Sequence, residues 1–389
     1  MFIIVGSGAG GATIAKELAC VGKEVLIIER GSEIPTINAS KSYNIVRSGI
    51  EIWHNICLGG TTLVSLGNAV RANIDELNDF YLEAERELNV KNVPYHHMGN
   101  ATKMLLEVSS DWKVMPKHID FSKCKSCGKC PFGCPCNAKW DSTHFIREAL
   151  MRGAKLMLNS PVEKVIIRNN KAIGVKLLNG KEIFGDTIIL SAGSIETPRI
   201  LIRSGIDYVG DNLFVDAFIT IGGIIKDKKP GLNKELNMAI FIKREDYLIS
   251  PHYSTFLLQN LLSRGIKANP DDIIGLMVKI ADEPIGIVSE DKVLKNLTKR
   301  DLEKLEKGKK EAEELLLRVG VDYDSIVSTH IRGAHPGGTC SKITNGYEPI
   351  LESLYLSDAS TIKGPFGLPP ILTIISKAKK LSSILTSRA

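Results

Sequence analysis

Glutamine is almost missing from this chain, occurring once in 389 residues, at Gln259, beside abundant Lys, Ile and Glu. A shortage of thermolabile amides together with many ionic residues points toward a heat-adapted source. No apolar run approaches the roughly 20 residues that span a bilayer, which excludes a transmembrane helix on sequence grounds. The first residues run directly into a strand pattern and leave no room for a secretory leader, so a cytoplasmic protein is expected. Acid is missing after Asp358, where Lys363, Lys377, Lys379, Lys380 and Arg388 carry nearly all of the excess formal charge of +6. That balance is too mild to argue for nucleic acid, and the expected use of it is a final helix whose basic end suits its own dipole. Aromatic residues are few, at 6%, but 43% hydrophobic and 24% charged residues at this length suit two or three compact soluble domains.

Cysteine is scarce outside one stretch. Five of the eight fall between Cys124 and Cys136, which marks a local site and not a disulfide framework. Cys124, Cys127, Cys130 and Cys134, followed by Pro135, have the C-x2-C-x2-C-x3-C-P spacing of bacterial ferredoxins, in which two-residue gaps let thiolates converge on one cube. These four are therefore candidate ligands of a 4Fe-4S cluster, with a 3Fe-4S cluster or zinc as alternatives. The fourth ligand stays open between Cys134, Cys136 and a non-cysteine group, because in two-cluster ferredoxins the fourth cysteine of such a run serves the other cluster.

Phe2 to Val5 is a short apolar run bounded by glycine, as expected of a central parallel strand covered on both faces. A helix over Ala12 to Val21 and a second strand, Val25 to Ile28, complete a βαβ unit that ends at Glu29. Asp75 to Leu88 reads as a helix, and the cysteine stretch, rich in Gly and Pro without a period, as an irregular lobe. A further helix from Ala149 leads to short strands at 156–158, 162–168, 172–178 and 183–190, with turns at Asn169-Asn170 and Asn179-Gly180. Longer strands such as Ile273 to Ile280 follow, then a charged helix from Thr298 to Val319 in which Leu302, Leu305, Leu315 and Leu316 form one apolar stripe.

Gly6, Gly8 and Gly11 match G-x-G-x-x-G immediately after a strand and opening a helix, with Glu29 lying 18 positions beyond the last glycine. The glycines allow a tight turn, close backbone approach to a pyrophosphate and helix-strand packing, while the helix N-terminus offers amide donors and Glu29 accepts from ribose hydroxyls. Glycine-rich turns also occur as plain packing devices, but this strand, helix and terminal acid together point to a dinucleotide. Three later segments specify which one. They are Gly59-Gly60-Thr61-Thr62 with Asn68 and Arg71, Ser191 to Pro198, and His335-Pro336-Gly337-Gly338-Thr339-Cys340 followed by Leu356 to Ser360. With Gly210 to Leu213 also in place, the chain resembles, from first strand to last helix, the glucose-methanol-choline (GMC) family of flavoenzymes, and among them the FAD dehydrogenases that carry an iron-sulfur cluster.

The resemblance implies an α/β fold in which a Rossmann-like FAD-binding domain (residues 1–74, 141–217 and 331–389) is interleaved with an α+β substrate domain (218–330) and a helical, Cys-rich lobe (75–140). It implies FAD contacts at the Gly6 loop, Glu29, Arg30, Gly59, Gly60, Thr61, Asn68, Val162, Ala192, Gly193, Asp358 and Ala359. It also implies His335 as the residue that takes the substrate hydroxyl proton while hydride leaves for flavin N5, a task suited to an imidazole. His330 is read as structural. The family's second polar residue, at the start of the last helix, is replaced by Pro369, which cannot donate a hydrogen bond.

The function so implied is oxidation of a CH-OH group, or its reverse, with electrons leaving through the cluster to a carrier protein such as ferredoxin. Two alternatives remain open at this point. One is a ferredoxin-fed reductase of a carbonyl or C=C bond, and the other an electron-transfer subunit of a larger complex.

Overall fold

The computed structural model describes residues 1–226, 228–344 and 346–387; Arg388, the last of the basic residues noted above, lies outside them. Strand Phe2–Val5 is the middle of a five-stranded parallel sheet in the order Leu354–Leu356, Thr187–Leu190, Phe2–Val5, Val25–Ile28, Lys155–Met157. Its continuous apolar text is explained by its two covered faces. Ile4, Ile27 and Ile189 pack on helices Ala9–Cys20, Thr143–Met151 and Ile371–Ser387, whereas Ile3, Val5, Leu26 and Ile188 pack on an antiparallel meander of Val162–Arg168, Lys171–Leu177 and Glu182–Phe184.

The stretch 183–190, expected as one strand, is two. Glu182–Phe184 closes the meander and Thr187–Leu190 joins the parallel sheet. The break falls at Gly185, where a Cβ would stand 2.9 Å from the Ile3 side chain, so the chain crosses from one sheet to the other where only glycine fits. Asn169 and Asn170 both take positive φ (50° and 61°) and turn the first hairpin of the meander, as their residue types suggest.

A nine-stranded, mostly antiparallel sheet forms the second layer. Its path runs Tyr43–Ser48, Ile50–Asn55, Arg332–Gly333, Phe218–Ile224, Ile273–Ile280, Tyr247–Pro251, Ile240–Lys243 and Lys113–Val114, with Val327–Ser328 paired at the side of Phe218–Ile224. It thus draws strands from before the cysteine run, from within 75–140 and from beside His335 into one surface. Helix Lys299–Arg318 covers its back and begins with a capping box, the Thr298 hydroxyl accepting from the Asp301 amide while Asp301 accepts in return. Its buried stripe is Leu305, Gly308, Ala312, Leu315 and Leu316; Leu302, expected in the stripe, is exposed. Gly308 takes its share because a Cβ there would meet Val278 at 2.5 Å and Tyr247 at 2.9 Å.

The basic final helix also departs from expectation. Lys379 sits mid-helix and buried, ion-paired with Glu17, Glu83 and Glu87, and Lys380 pairs with Glu76. Lys379 fastens helix Ile371–Ser387 to helices Ala9–Cys20 and Asn78–Glu87, and Lys380 fastens it to the turn Asp75–Leu77, instead of serving its dipole. No helix among the described residues is long and apolar enough to cross a membrane.

Candidate active site

A cavity of about 790 Å³ lies between the parallel sheet and the nine-stranded sheet, near the upper end of the roughly 300–1,000 Å³ usual for ligand sites. One end is the turn after strand Phe2–Val5. Gly6 (φ +101°) and Gly11 are there for packing, since Cβ atoms would come within 2.2 Å of the Ser191 carbonyl oxygen and 2.1 Å of the Gly6 carbonyl oxygen respectively. Gly10 is equally tight, with its Cβ position 1.7 Å from the Ser357 carbonyl oxygen. Gly8 differs: a Cβ there meets nothing within 4 Å and would project into open space in the cavity. Helix Ala9–Cys20 starts beside it with no side-chain cap, leaving amides free for an anion.

Glu29 is buried, with its carboxylate accepting from the Ser7 amide, the Ser7 hydroxyl (2.6 Å) and the Gly31 amide (2.8 Å), which holds it rigidly in the cavity wall. Arg30 lines the same end, tied to Glu196 at 3.1 Å. Val162 lies nearby. Ala192 and Gly193 continue the wall, and Asp358 joins them by accepting from the Gly193 amide (2.9 Å) and the Thr197 hydroxyl (2.6 Å), with Ala359 following it. Opposite, Gly60 faces Gly8, whose Cα would be 3.7 Å from a Cβ at Gly60. Thr61 and Asn68 extend this side, Asn68 accepting a hydrogen bond from buried Lys117. Gly59 and Gly11 stand behind the wall instead of on it; Gly59 donates to the Ser7 hydroxyl at 2.9 Å.

His335 lines the far end. Its amide donates to the Val215 carbonyl, and its Nδ1 lies 3.0 Å from Oδ2 of Asp216. The following glycines let this loop lie flat against 212–214, since a Cβ at Gly337 would enter the Phe214 ring and one at Gly338 would come 2.4 Å from the Asn212 carbonyl oxygen. Asp216 is buried, takes a positive φ of 51°, and accepts from the Gly367 amide through its second oxygen. With the proton on Nδ1 held by Asp216, Nε2 is the ring nitrogen left for a substrate. Burial lowers the His335 pKa, with neighbouring Lys279 adding to the fall and Asp216 opposing it, so the ring is a neutral base at neutral pH. Pro369 stands in the same cavity wall with Pro370 and Ile371. His330 is outside the cavity, half exposed and bonded to Glu51 at 3.0 Å.

Asp216, Lys279, Arg332 and the aromatic group around Arg332 were not singled out from sequence. The available signal was a lysine inside the otherwise apolar strand Ile273–Ile280, every residue of which is buried.

The cysteine run forms an irregular loop over one side of the cavity, where Gly128, Pro131 and Phe132 line it and Tyr43 donates to the Pro131 carbonyl. Cys130 and Cys134 are buried, and Cys124, Cys127 and Cys136 partly so; none of the five is joined in a disulfide. Amides of Ser126 and Ala138 point at the sulfurs of Cys124 and Cys134 at 3.4 and 3.3 Å. Burial lowers the Lys117 pKa to about 7, and Cys130 and Cys124 are the neighbours that oppose the shift. Among the described residues, however, no three of His, Cys, Asp and Glu are arranged to hold a metal ion. As placed, the thiols do not fit a 4Fe-4S or 3Fe-4S cluster or a zinc ion.

A parallel sheet with an uncapped glycine turn, a fixed acid at the end of the second strand and a histidine at the opposite end of one long cavity defines a dinucleotide-dependent oxidoreductase. Residues 2–217 match the family model described as GMC oxidoreductase. An uncharacterised protein of Methanocaldococcus jannaschii is 35% identical over 383 residues, covering 97% of this chain and 98% of its own. A long-chain-alcohol oxidase of Arabidopsis thaliana is 21% identical, covering 98% of this chain and 67% of that protein. The crystal structure of pyridoxine 4-oxidase from Mesorbium loti superposes with a TM-score of 0.74 over 98% of both chains at 13% identity, a likeness of fold. The chain belongs to the GMC oxidoreductase family and is an FAD-dependent oxidoreductase. The cavity fits that cofactor: Gly8 and Gly193 leave their Cβ positions open, and the helix start beside Gly8 offers uncapped amides.

Proposed function

We propose that the chain oxidises a CH-OH group, or runs the reverse reduction, with His335 as the proton-transferring residue. The observation that carries this reading is the 3.0 Å contact between His335 and buried Asp216 at the end of the cavity opposite the glycine turn. Bound FAD supplies the acceptor for the hydride that leaves the carbinol carbon. Nε2 of His335 takes the hydroxyl proton as the carbonyl forms, and Asp216 holds the ring in the one tautomer that leaves this nitrogen free. We assign the cofactor contacts to Gly6, Gly8, Glu29, Arg30, Gly60, Thr61, Asn68, Val162, Ala192, Gly193, Asp358 and Ala359, which line the cavity, with Gly11 and Gly59 shaping it from behind. The cofactor part comprises 1–74, 141–217 and 331–389, and the substrate part 218–330.

The test is anaerobic bleaching of the FAD-loaded chain by a panel of primary and secondary alcohols. One or more should reduce the flavin, and His335→Ala should slow that reduction by about 10²–10⁴-fold with FAD still bound. Unchanged reduction in the variant would remove His335 from the chemistry.

A second reading adds an iron-sulfur relay at 124–134, delivering electrons to a carrier protein. The spacing and the buried lysine amine of Lys117 beside the thiols favour it, but it requires the loop to draw the sulfurs together. Metal analysis of anaerobically purified protein decides it: about four irons per chain supports the relay, and zinc or no metal removes it without touching the reading of His335.

A further inference from the structure

Three residues stand in register across the floor of the nine-stranded sheet, facing the cavity. Phe218 pairs with Arg332 on one side and with Lys279 on the other, and all three line the cavity. Neighbouring strands lie about 4.8 Å apart, so the two cations flank one aromatic ring on a single face. Lys279 is 2% exposed, and its Nζ has no hydrogen-bond partner among the described residues. Arg332 is 5% exposed, its Nε is likewise without a partner, and its guanidinium lies 5.6, 5.2 and 4.7 Å from the ring centres of Trp53, Phe218 and Phe256. Burying an ionised amine without a partner is costly, and burial lowers the Lys279 pKa to about 8 with Asp216 opposing the fall, so an anion placed beside the amine would relieve that cost.

The charge count says which ligand. Among the groups lining the cavity at this end, Lys279 and Arg332 are positive, and Asp216 is the negative one, already engaged by His335 and the Gly367 amide; Glu51, in register with Arg332 on the next strand, stands off the cavity, partly exposed, where it accepts from Trp53 Nε1 and contacts His330. His252, beside Thr220, is held neutral by burial, and Lys243 is exposed to water. Along the cavity wall at this end the cations outnumber the carboxylates by one. Around them the wall is apolar and aromatic, from Phe218, Phe256, Trp53 and Met277.

We propose that the substrate of this oxidoreductase is a hydroxy acid, or the matching oxo acid, whose single carboxylate is received by Lys279 and Arg332 while its carbinol end lies at His335. The proposal rests on His335 marking the reacting end of the cavity.

The probe is benzoate against its uncharged relative benzamide, titrated calorimetrically into the FAD-loaded full chain at pH 7. This readout involves no turnover, so it stands or falls separately from the role of His335. The expected result is benzoate binding at least tenfold tighter than benzamide. Lys279→Met should bring the two within threefold of each other, and Lys279→Arg should restore the preference. If Lys279→Met does not retain FAD, Lys279→Gln is measured in its place. Equal binding of the two probes by the wild type, or an unchanged preference in the Lys279 variant, overturns the proposal. So does an unchanged preference accompanied by a shifted flavin potential, which would assign the amine to the cofactor.

Discussion

His335 and Asp216 act as a pair whose parts come from distant positions in the chain. The strained backbone of Asp216, with φ at 51°, places its carboxylate where one oxygen meets His335 and the other the Gly367 amide. Asp216 raises the His335 pKa while burial, the larger effect, and Lys279 lower it. The ring therefore protonates only below its ordinary value near 6.5, and kcat/KM for an alcohol should rise with pH through that lowered pKa and then level off. In Asp216→Asn the opposing charge is gone, so the rising limb should move to still lower pH, and the plateau should drop by about 10²-fold as the tautomer is no longer enforced. A structural role alone would lower activity without moving the limb. A stopped-flow pH profile of flavin reduction reads both. His335 was legible in sequence because its glycine-rich loop is a motif; Lys279 and Arg332 were not, because only strand register brings them to one face, and Asp216 was not, because its partners His335 and Gly367 lie far along the chain.

At the scale of elements, the glycine turn separates two duties that one motif merges. Gly8 faces the cavity with space for a methyl group, at φ −67°, while Gly10 has none because the Ser357 carbonyl lies against it. Gly8→Ala should leave the apoprotein's thermal unfolding unchanged and weaken FAD binding tenfold or more, read by fluorescence quenching. Gly10→Ala should lower apoprotein stability by about 1–3 kcal/mol, the usual cost of overpacking, read by urea unfolding without cofactor. The pattern of glycines was visible in the sequence, as were the strand at 273–280, the meander turns and the helix after Thr298, because each is a local signal of period or turn chemistry. Which glycine touches cofactor and which touches chain was not, since the contacts of Gly10 come from residue 357, far along the sequence. The same limit applies to the cysteine run: spacing defines which sulfurs are neighbours, but their convergence depends on loop conformation.

Across the whole molecule, ionisable groups buried without partners shape the response to acid, and His118 is one of them. His118 is fully buried, stacks edge-on against Trp140 at 5.6 Å, and has no partner on either ring nitrogen among the described residues. Burial lowers its pKa to about 3, with Lys139 and Lys117 adding to the fall. In the unfolded chain it titrates near 6.5. Above that value neither state holds the extra proton, and His118 leaves stability unchanged. Between 6.5 and 3 the unfolded chain binds a proton that the folded chain refuses, so stability falls as pH drops, by up to about 1.4 kcal/mol per pH unit. Other groups titrate over the same range, which makes the difference between two proteins the useful quantity. The urea midpoint of the wild type should fall from pH 7 to pH 4.5 more steeply than that of His118→Leu, and the two curves should run parallel above pH 7. Parallel curves throughout would mean that His118 gains a proton and a partner in the folded chain.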